Sequence, residues 1–434
     1  MTAVRVPDSI SDISGLDALL ARAGNFLGLT PFTTRNLWTG PTGGPSLTYS
    51  DGVITNGTYK THHVVCYDAT HIRLLYTNCG NEIATGNDDV EAPPFLSTDP
   101  SAAITVKSKL NYNGIEFPVY FSGRRQVTID PGGMVLSDPV SIDVRVATAV
   151  GLDVYTYVSI AAGKKWPLGI QVNQQSPYSE GYSDGVDATD IGVAWPGGFK
   201  ANLYHPWMLL GVTNPRHRPV VVIVGDSIIT GYFAATLNGV PQSGVTNDYG
   251  YVDLALNDTI PTVKVSRGGG TAQYFAVQRR AWYRHTMMSV GTHCVVGYGT
   301  NDVGNGRTIA QMQADLTTIW NYAKLLGMKV YACTLPPRTT STDNFQSAAN
   351  QSVMTNEANR TALNDWIRTV PAPLSGYFDV ADAVEVNASN VLTRNGGYWL
   401  CDGTTKKYTV DGIHPSYDGH RLIKNAVNAS VFTV

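Results

Sequence analysis

The chain lacks any long apolar run, any block of like charge, and any dense set of cysteines. No stretch approaches the roughly 20 apolar residues needed to cross a bilayer, so membrane insertion is not expected. The N-terminal segment has no basic stretch leading into an uninterrupted apolar one, because Asp8, Asp12 and Asp17 break up the one candidate. An extracellular setting is still favoured, with cytoplasmic and virion-associated settings as alternatives. The 31 basic and 34 acidic side chains leave a net charge of −3. No arginine-rich stripe gathers that charge, so no nucleic-acid partner is expected. The five cysteines (Cys66, Cys79, Cys294, Cys333 and Cys401) form no Cys-x-x-Cys pair, and an odd number cannot all pair within one chain. Cys294 and Cys333 fall in apolar runs and read as buried thiols. For Cys66 and Cys79 the sequence leaves two alternatives open, a bridge between neighbouring strands or two unpaired thiols. His62, His63 and His71 have no zinc-ligand spacing to the cysteines, so no metal is expected. The glycine triplet at 268–270 has neither the phosphate-loop lysine nor a GxGxxG pattern, so no nucleotide cofactor is expected either.

What is present is a globular composition, 43% apolar and 15% charged, rich in glycine and proline turns. At 434 residues two domains are expected. Residues 1–36 read as a helical or irregular N-terminal segment, with Ile13, Leu16, Leu19, Leu20 and Leu27 near one helical face. Residues 37–200 consist of short alternating runs such as HIRLLYTN, AITVKSKLNYN and VSIDVRVATA, broken by Gly, Pro, Asn and Asp. That pattern predicts an all-β sandwich or jelly roll. Residues 201–218, with Tyr204, Trp207, Met208 and Leu209, read as a segment packed between domains. From 219 to 434 wholly apolar strands (VVVIV, TVKVS, HCVVGY, MKVYACTLP, GYFDVAD) alternate with helical patterns at 308–326, 353–370 and 416–432. This predicts an α/β domain with a parallel sheet covered on both sides. Reactive groups in such sheets gather at the carboxyl ends of the strands.

Three of those ends carry suggestive residues. Gly225-Asp226-Ser227 follows the first strand, Gly268-Gly269-Gly270 the second, and Gly299-Thr300-Asn301-Asp302 the third. Downstream, Asp411-Gly412-Ile413-His414-Pro415 opens the last helix. A serine hydroxyl needs a base to take its proton, and histidine titrates in the right range. A carboxylate on the other imidazole nitrogen fixes the tautomer. Asp411 and His414 flank a glycine turn that can place both in line with Ser227. A developing oxyanion needs preorganised donors. Three candidates are the Ser227 N–H, a glycine N–H from the 268–270 turn and the Asn301 side-chain amide. Asp226 and Asp302 read as turn-shaping acids. His205, His217, His285, His293 and His420 read as packing or surface residues.

These four blocks, in this order and spacing, resemble those of the SGNH (GDSL-like) serine esterases over residues 219–434. The resemblance implies a flavodoxin-like three-layer fold without a cofactor. It implies Ser227 as nucleophile and oxyanion donor, Asn301 as oxyanion donor, His414 as base and Asp411 as its orienting acid. Gly-Gly-Thr at 269–271 aligns with the family's Gly-Asp-Thr, which favours Gly269 as the third donor, with Gly268 as the alternative. The departure lies at Gly270, where an acid is common. HIRLLYTN and FSGRRQVTIDPGGMVLSDPVSI resemble the β-sandwich that precedes the catalytic domain in some bacterial SGNH carbohydrate esterases. The expected substrate is an O-acetylated carbohydrate, with segments 338–351 and 390–408 placed to touch it and the latter expected as a hairpin. Rival readings are a generalist carboxylesterase or thioesterase acting on small acyl esters, and a carbohydrate-binding surface or virion protein on a hydrolase scaffold.

Overall fold

The computed structural model describes residues 28–34, 36–37, 50–79, 82–84, 88–90, 102–148, 151–171, 180–198, 202–214, 218–241, 249–277 and 282–433. The amphipathic stretch expected at 13–27 lies outside them.

The N-terminal half is built from two antiparallel sheets. In one, Ala69–Thr77 is flanked by Met208–Thr213 on one side and by Met134–Leu136 and Val140–Val144 on the other, with Thr30–Pro31 at the edge. In the other, Leu152–Ser159 lies between Asn56–His63 and Ile104–Tyr112. Burial alternates strictly along Leu152–Ser159, because successive side chains point to opposite faces of a strand. Ile72, Leu74 and Tyr76 from the first sheet meet Val106, Leu110, Val154 and Val158 from the second in one apolar core.

The C-terminal half holds a parallel sheet. Its strands run in the order Asn36–Leu37, Thr262–Lys264, Val221–Gly225, His293–Gly297, Lys329–Cys333 and Gly376–Phe378. Apart from the short edge strand from the N-terminus, chain order across the sheet is 2-1-3-4-5, the flavodoxin-like arrangement. Apolar residues cover both faces. Val222, Val224, Cys294 and Val296 pack beneath the Ile309–Leu325 helix, with its Met312, Leu316, Ile319 and Trp320. Val221, Ile223 and Val295 pack on the other side with Tyr251, Val252 and Ile423 from the helices Tyr251–Leu256 and Tyr417–Ile423.

Several expectations change. Residues 208–213, read as lying between the domains, form a strand of the sandwich. Leu209 enters the sandwich core, while Met208 and Leu210 join the helix-covered core of the α/β half. A strand buried on both faces shows no alternation, so in sequence it looked like a packed connector. Residues 30–31 likewise belong to the sandwich, and 36–37 to the parallel sheet. Cys66 and Cys79 are not bridged; all five cysteines are buried and outside any disulfide. Cys66 packs in the sandwich core and Cys79 in the core shared with the α/β half, which keeps them apart. The helix expected from 353 begins at Glu357, after a short Gln351–Val353 strand and a left-handed Asn356 with φ +69°. The last helix stops at Ile423 and continues as two 3-10 turns. Tyr398–Trp399 pairs with Glu385–Val386 rather than within a 390–408 hairpin.

Candidate active site

Ser227 sits at the first position of a four-residue helix, directly after the Val221–Gly225 strand. The strand end is tight. A Cβ on Gly225 would come within 2.7 Å of the Gly297 carbonyl of the neighbouring strand. Asp226 caps the helix, its Oδ1 accepting the Ile228 N–H at 2.9 Å. Its other oxygen is buried without a hydrogen-bond partner. Burial, with the nearby Asp302 carboxylate adding to it, pushes the Asp226 carboxyl up to about 7.

The three strand-end turns are joined. The Arg267 N–H donates to the Gly225 carbonyl at 2.8 Å, which hangs the glycine turn from the serine strand. Thr230 Oγ1 donates to Ser266 Oγ at 2.8 Å. Asn301 donates from its side-chain amide to the Gly270 carbonyl at 2.9 Å. The amide has a second N–H, which this bond leaves available. Asp302 accepts the N–H groups of Ala272 and Gln273 at 3.0 and 3.2 Å, fixing the start of the short helix after the glycines. Gly269 is exposed and left-handed, with φ +70°. The Gly270 N–H is taken by the Arg267 carbonyl at 3.1 Å, whereas no backbone acceptor takes the Gly269 N–H among the described residues.

His414 reaches the serine from the far end of the chain. Ser227 Oγ and His414 Nε2 are 2.7 Å apart, and His414 Nδ1 and Asp411 Oδ2 are 2.8 Å apart. Asp411 Oδ1 also accepts the backbone N–H groups of Ile413 and His414 at 2.9 and 2.8 Å. Desolvation by the protein packed against one side of the Asp411 carboxyl would raise it, but the bonds from His414 outweigh this and hold the group below its usual range. Ser227 is buried, His414 half-buried and Asp411 exposed, so the line of three runs from interior to surface.

The loop carrying Asp411 and His414 is clamped. The Gly412 carbonyl accepts both the Thr339 N–H and the Trp399 indole N–H, each at 2.9 Å. Gly412 has φ +83°, and a Cβ there would strike the Thr339 carbonyl at 1.9 Å. The buried Gln351 amide accepts the Trp399 N–H and donates to the Trp399 carbonyl, at 3.0 and 2.8 Å. Segment 338–351 and residues around 399, expected to face substrate, thus brace the histidine loop. Arg338 donates to the Thr300 carbonyl at 2.7 Å, behind Asn301. Two aromatic rings missed in the sequence also meet the histidine: Tyr232 at 5.2 Å and Phe233 at 5.5 Å between centroids. His420, read as a packing residue, contacts the Tyr232 carbonyl through Nε2 at 3.2 Å. No periodicity signals these contacts, since they join segments far apart in the chain.

Among the described residues no cluster of His, Cys, Asp and Glu is arranged to hold a metal, and no helix is long and apolar enough to cross a membrane.

Residues 223–422 match the model of the GDSL-like lipase/acylhydrolase family. Among curated proteins none matches the chain. Solved structures similar to it include a GDSL-like lipase from Bacteroides thetaiotaomicron, at 15% identity and a TM-score of 0.34, covering 49% of this chain and 87% of that one. The psychrotrophic esterase EstA from Pseudoalteromonas is similar at 17% identity and a TM-score of 0.30, covering 48% of this chain and 93% of that one. A family two carbohydrate esterase from Clostridium thermocellum is similar at 10% identity and a TM-score of 0.34, covering 89% of this chain and 98% of that one. That match gives residues 223–422, a little under half of the chain, as a GDSL-like lipase/acylhydrolase domain.

Proposed function

We propose that the α/β half hydrolyses carboxylic esters through an acyl-serine intermediate, and that its substrate is an O-acetylated carbohydrate. The observation that carries this reading is the continuous line Ser227 Oγ, His414 Nε2, His414 Nδ1 and Asp411 Oδ2. His414 takes the Ser227 proton as Oγ attacks the carbonyl carbon, and Asp411 stabilises the imidazolium. The oxyanion is held by the N–H groups of Ser227 and Gly269 and by the second N–H of the Asn301 amide. His414 then protonates the departing alcohol oxygen as the C–O bond breaks, leaving an acyl-serine. Water, deprotonated by His414, attacks that ester and releases the acid, returning the proton to Ser227.

The carbohydrate part of the proposal is supported by the openness of the site. Asp411 and Gly269 are exposed and His414 and Asn301 partly exposed, which suits an acyl group presented on a polymer too large to be enclosed. The test is acetate release from acetylated xylan, p-nitrophenyl acetate and acetyl-CoA by the wild type and by Ser227→Ala. The wild type should release acetate from xylan, and the variant should lose roughly 10⁴-fold or more in kcat, as serine triads do. Release from the small esters alone contradicts the carbohydrate assignment. A wild type that cleaves none of the three contradicts the ester-hydrolase assignment and leaves the scaffold reading.

A further inference from the structure

We propose that Tyr232 and Phe233 form an aromatic platform for the alcohol half of the substrate, and that this alcohol is a sugar ring. The inference rests on the ester-hydrolase reading and assigns its leaving-group side.

The direction follows from the chemistry. In the tetrahedral adduct the oxyanion points at the N–H donors on the Ser227, Gly269 and Asn301 side. The departing oxygen must lie beside His414 Nε2, because that nitrogen carries the proton it receives. Rings packed on His414 therefore border the alcohol rather than the acyl chain. Tyr232 and Phe233 are those rings. Each meets the imidazole edge-on at 74°, and their own centroids are 4.2 Å apart.

The platform is both held and open. The Tyr232 N–H donates to the Ser227 carbonyl at 2.9 Å, and the Tyr232 carbonyl contacts His420 Nε2 at 3.2 Å. His420 lies on the Tyr417–Ile423 helix, which starts just after His414, so the same short stretch positions both base and platform. Phe233 has φ +62°, a conformation that bulky residues adopt only where the surroundings enforce it. A buried hydrophobic side chain would explain such strain by packing, but both rings stay half-exposed at the site. The Tyr232 hydroxyl has no hydrogen-bond partner among the described residues, which leaves a polar tip beside an apolar face. An aromatic face carries partial negative charge. The C–H face of a pyranose, polarised by its oxygens, complements that charge, and its rim of hydroxyls suits the phenol. A flexible acyl-carrier thiol or a simple alkyl alcohol offers no such face.

The test uses Phe233→Gly, chosen because glycine adopts this left-handed backbone without strain and so removes the ring without endangering the fold. Tyr232→Ala is the second variant. For each, kcat/KM is measured on an acetylated xylo-oligosaccharide and on ethyl acetate. The preference for the sugar ester over ethyl acetate should fall about tenfold in Phe233→Gly, mainly through KM for the sugar. A preference unchanged in both variants would overturn the proposal, since rings that merely support His414 would affect both substrates alike. A wild type that cleaves ethyl acetate but not the sugar ester would overturn the sugar assignment. A wild type that cleaves neither would remove the ester-hydrolase reading and this inference with it.

Discussion

The outer face of the second sandwich sheet and the carboxyl ends of the parallel sheet treat polar groups in opposite ways. On the sandwich, charges come matched. Lys60 pairs with Asp153 at 3.0 Å, Lys109 with Glu116 at 2.7 Å, and Lys107 with Asp187. Beneath Ser227 the polar groups are instead left in tension. Asp226 keeps one buried oxygen unpartnered, Arg338 keeps its Nε unpartnered, and Asp302 is held above its usual range mainly by burial. Buried polar groups without partners are costly, and a fold tolerates them where the surroundings are arranged for another purpose. The matched surface stabilises a module, whereas the strained strand ends hold a site.

Four substitutions sharpen this contrast. The largest effect is expected from Asn301→Ala, which removes a proposed oxyanion donor and should lower kcat by about 10²–10³-fold. KM should move little, because the bond strengthens only as charge develops; steady-state kinetics on a soluble acetyl ester separates the two. Trp399→Phe keeps the ring's bulk but deletes the indole N–H that holds Gly412. It should lower kcat roughly tenfold by loosening the histidine loop, since small misplacements of catalytic groups are expensive. A value of kcat within twofold of wild type would show that Thr339 alone suffices.

Asp226→Asn addresses stability. Folded Asp226 keeps its proton up to about pH 7, whereas an unfolded aspartate releases it near 3.8. Between those values the folded state binds more protons, so stability should fall as pH rises. Asparagine can still cap the helix, so the variant should lose part of that slope and retain the share due to Asp302. Urea midpoints at pH 5 and pH 8 read the difference, and equal slopes in both proteins would refute the account of Asp226. The smallest effect on activity belongs to the sandwich. Asp153→Asn disrupts its largely buried contacts with both Lys60 and His62 and should cost about 1–3 kcal/mol of stability, with kcat unchanged. A large loss of activity there would erase the division between the two regions.

Much of the site was legible because its residues sit at strand ends. VVVIV followed by Gly-Asp-Ser, and Asp411 three residues before His414, mark in local sequence the turns whose side chains meet in the structure. A parallel sheet covered on both faces was legible from fully apolar strands separated by helical patterns, whereas its flavodoxin-like order was implied only by the family resemblance. Contacts made by distant segments were not legible. Trp399 carries no mark that its N–H finds Gly412, and Tyr232 and Phe233 follow the serine helix as any apolar pair would. Met208–Thr213 was misplaced because a strand covered on both faces loses the alternation that identifies a sandwich strand. The Gln351–Val353 strand was missed, with Val353 read as the start of a helix, because nothing in its composition announces the partner at Thr339–Ser341.

The central claim is that Ser227, activated by His414, attacks the ester. A fluorophosphonate that mimics the tetrahedral adduct tests it most directly, with the modified peptide identified by mass spectrometry. The account predicts one adduct per chain, on Ser227, forming quickly in wild type and at least about 10³-fold more slowly in His414→Ala. An adduct on another residue, or an esterase that hydrolyses acetyl esters while Ser227 stays unlabelled, would contradict it.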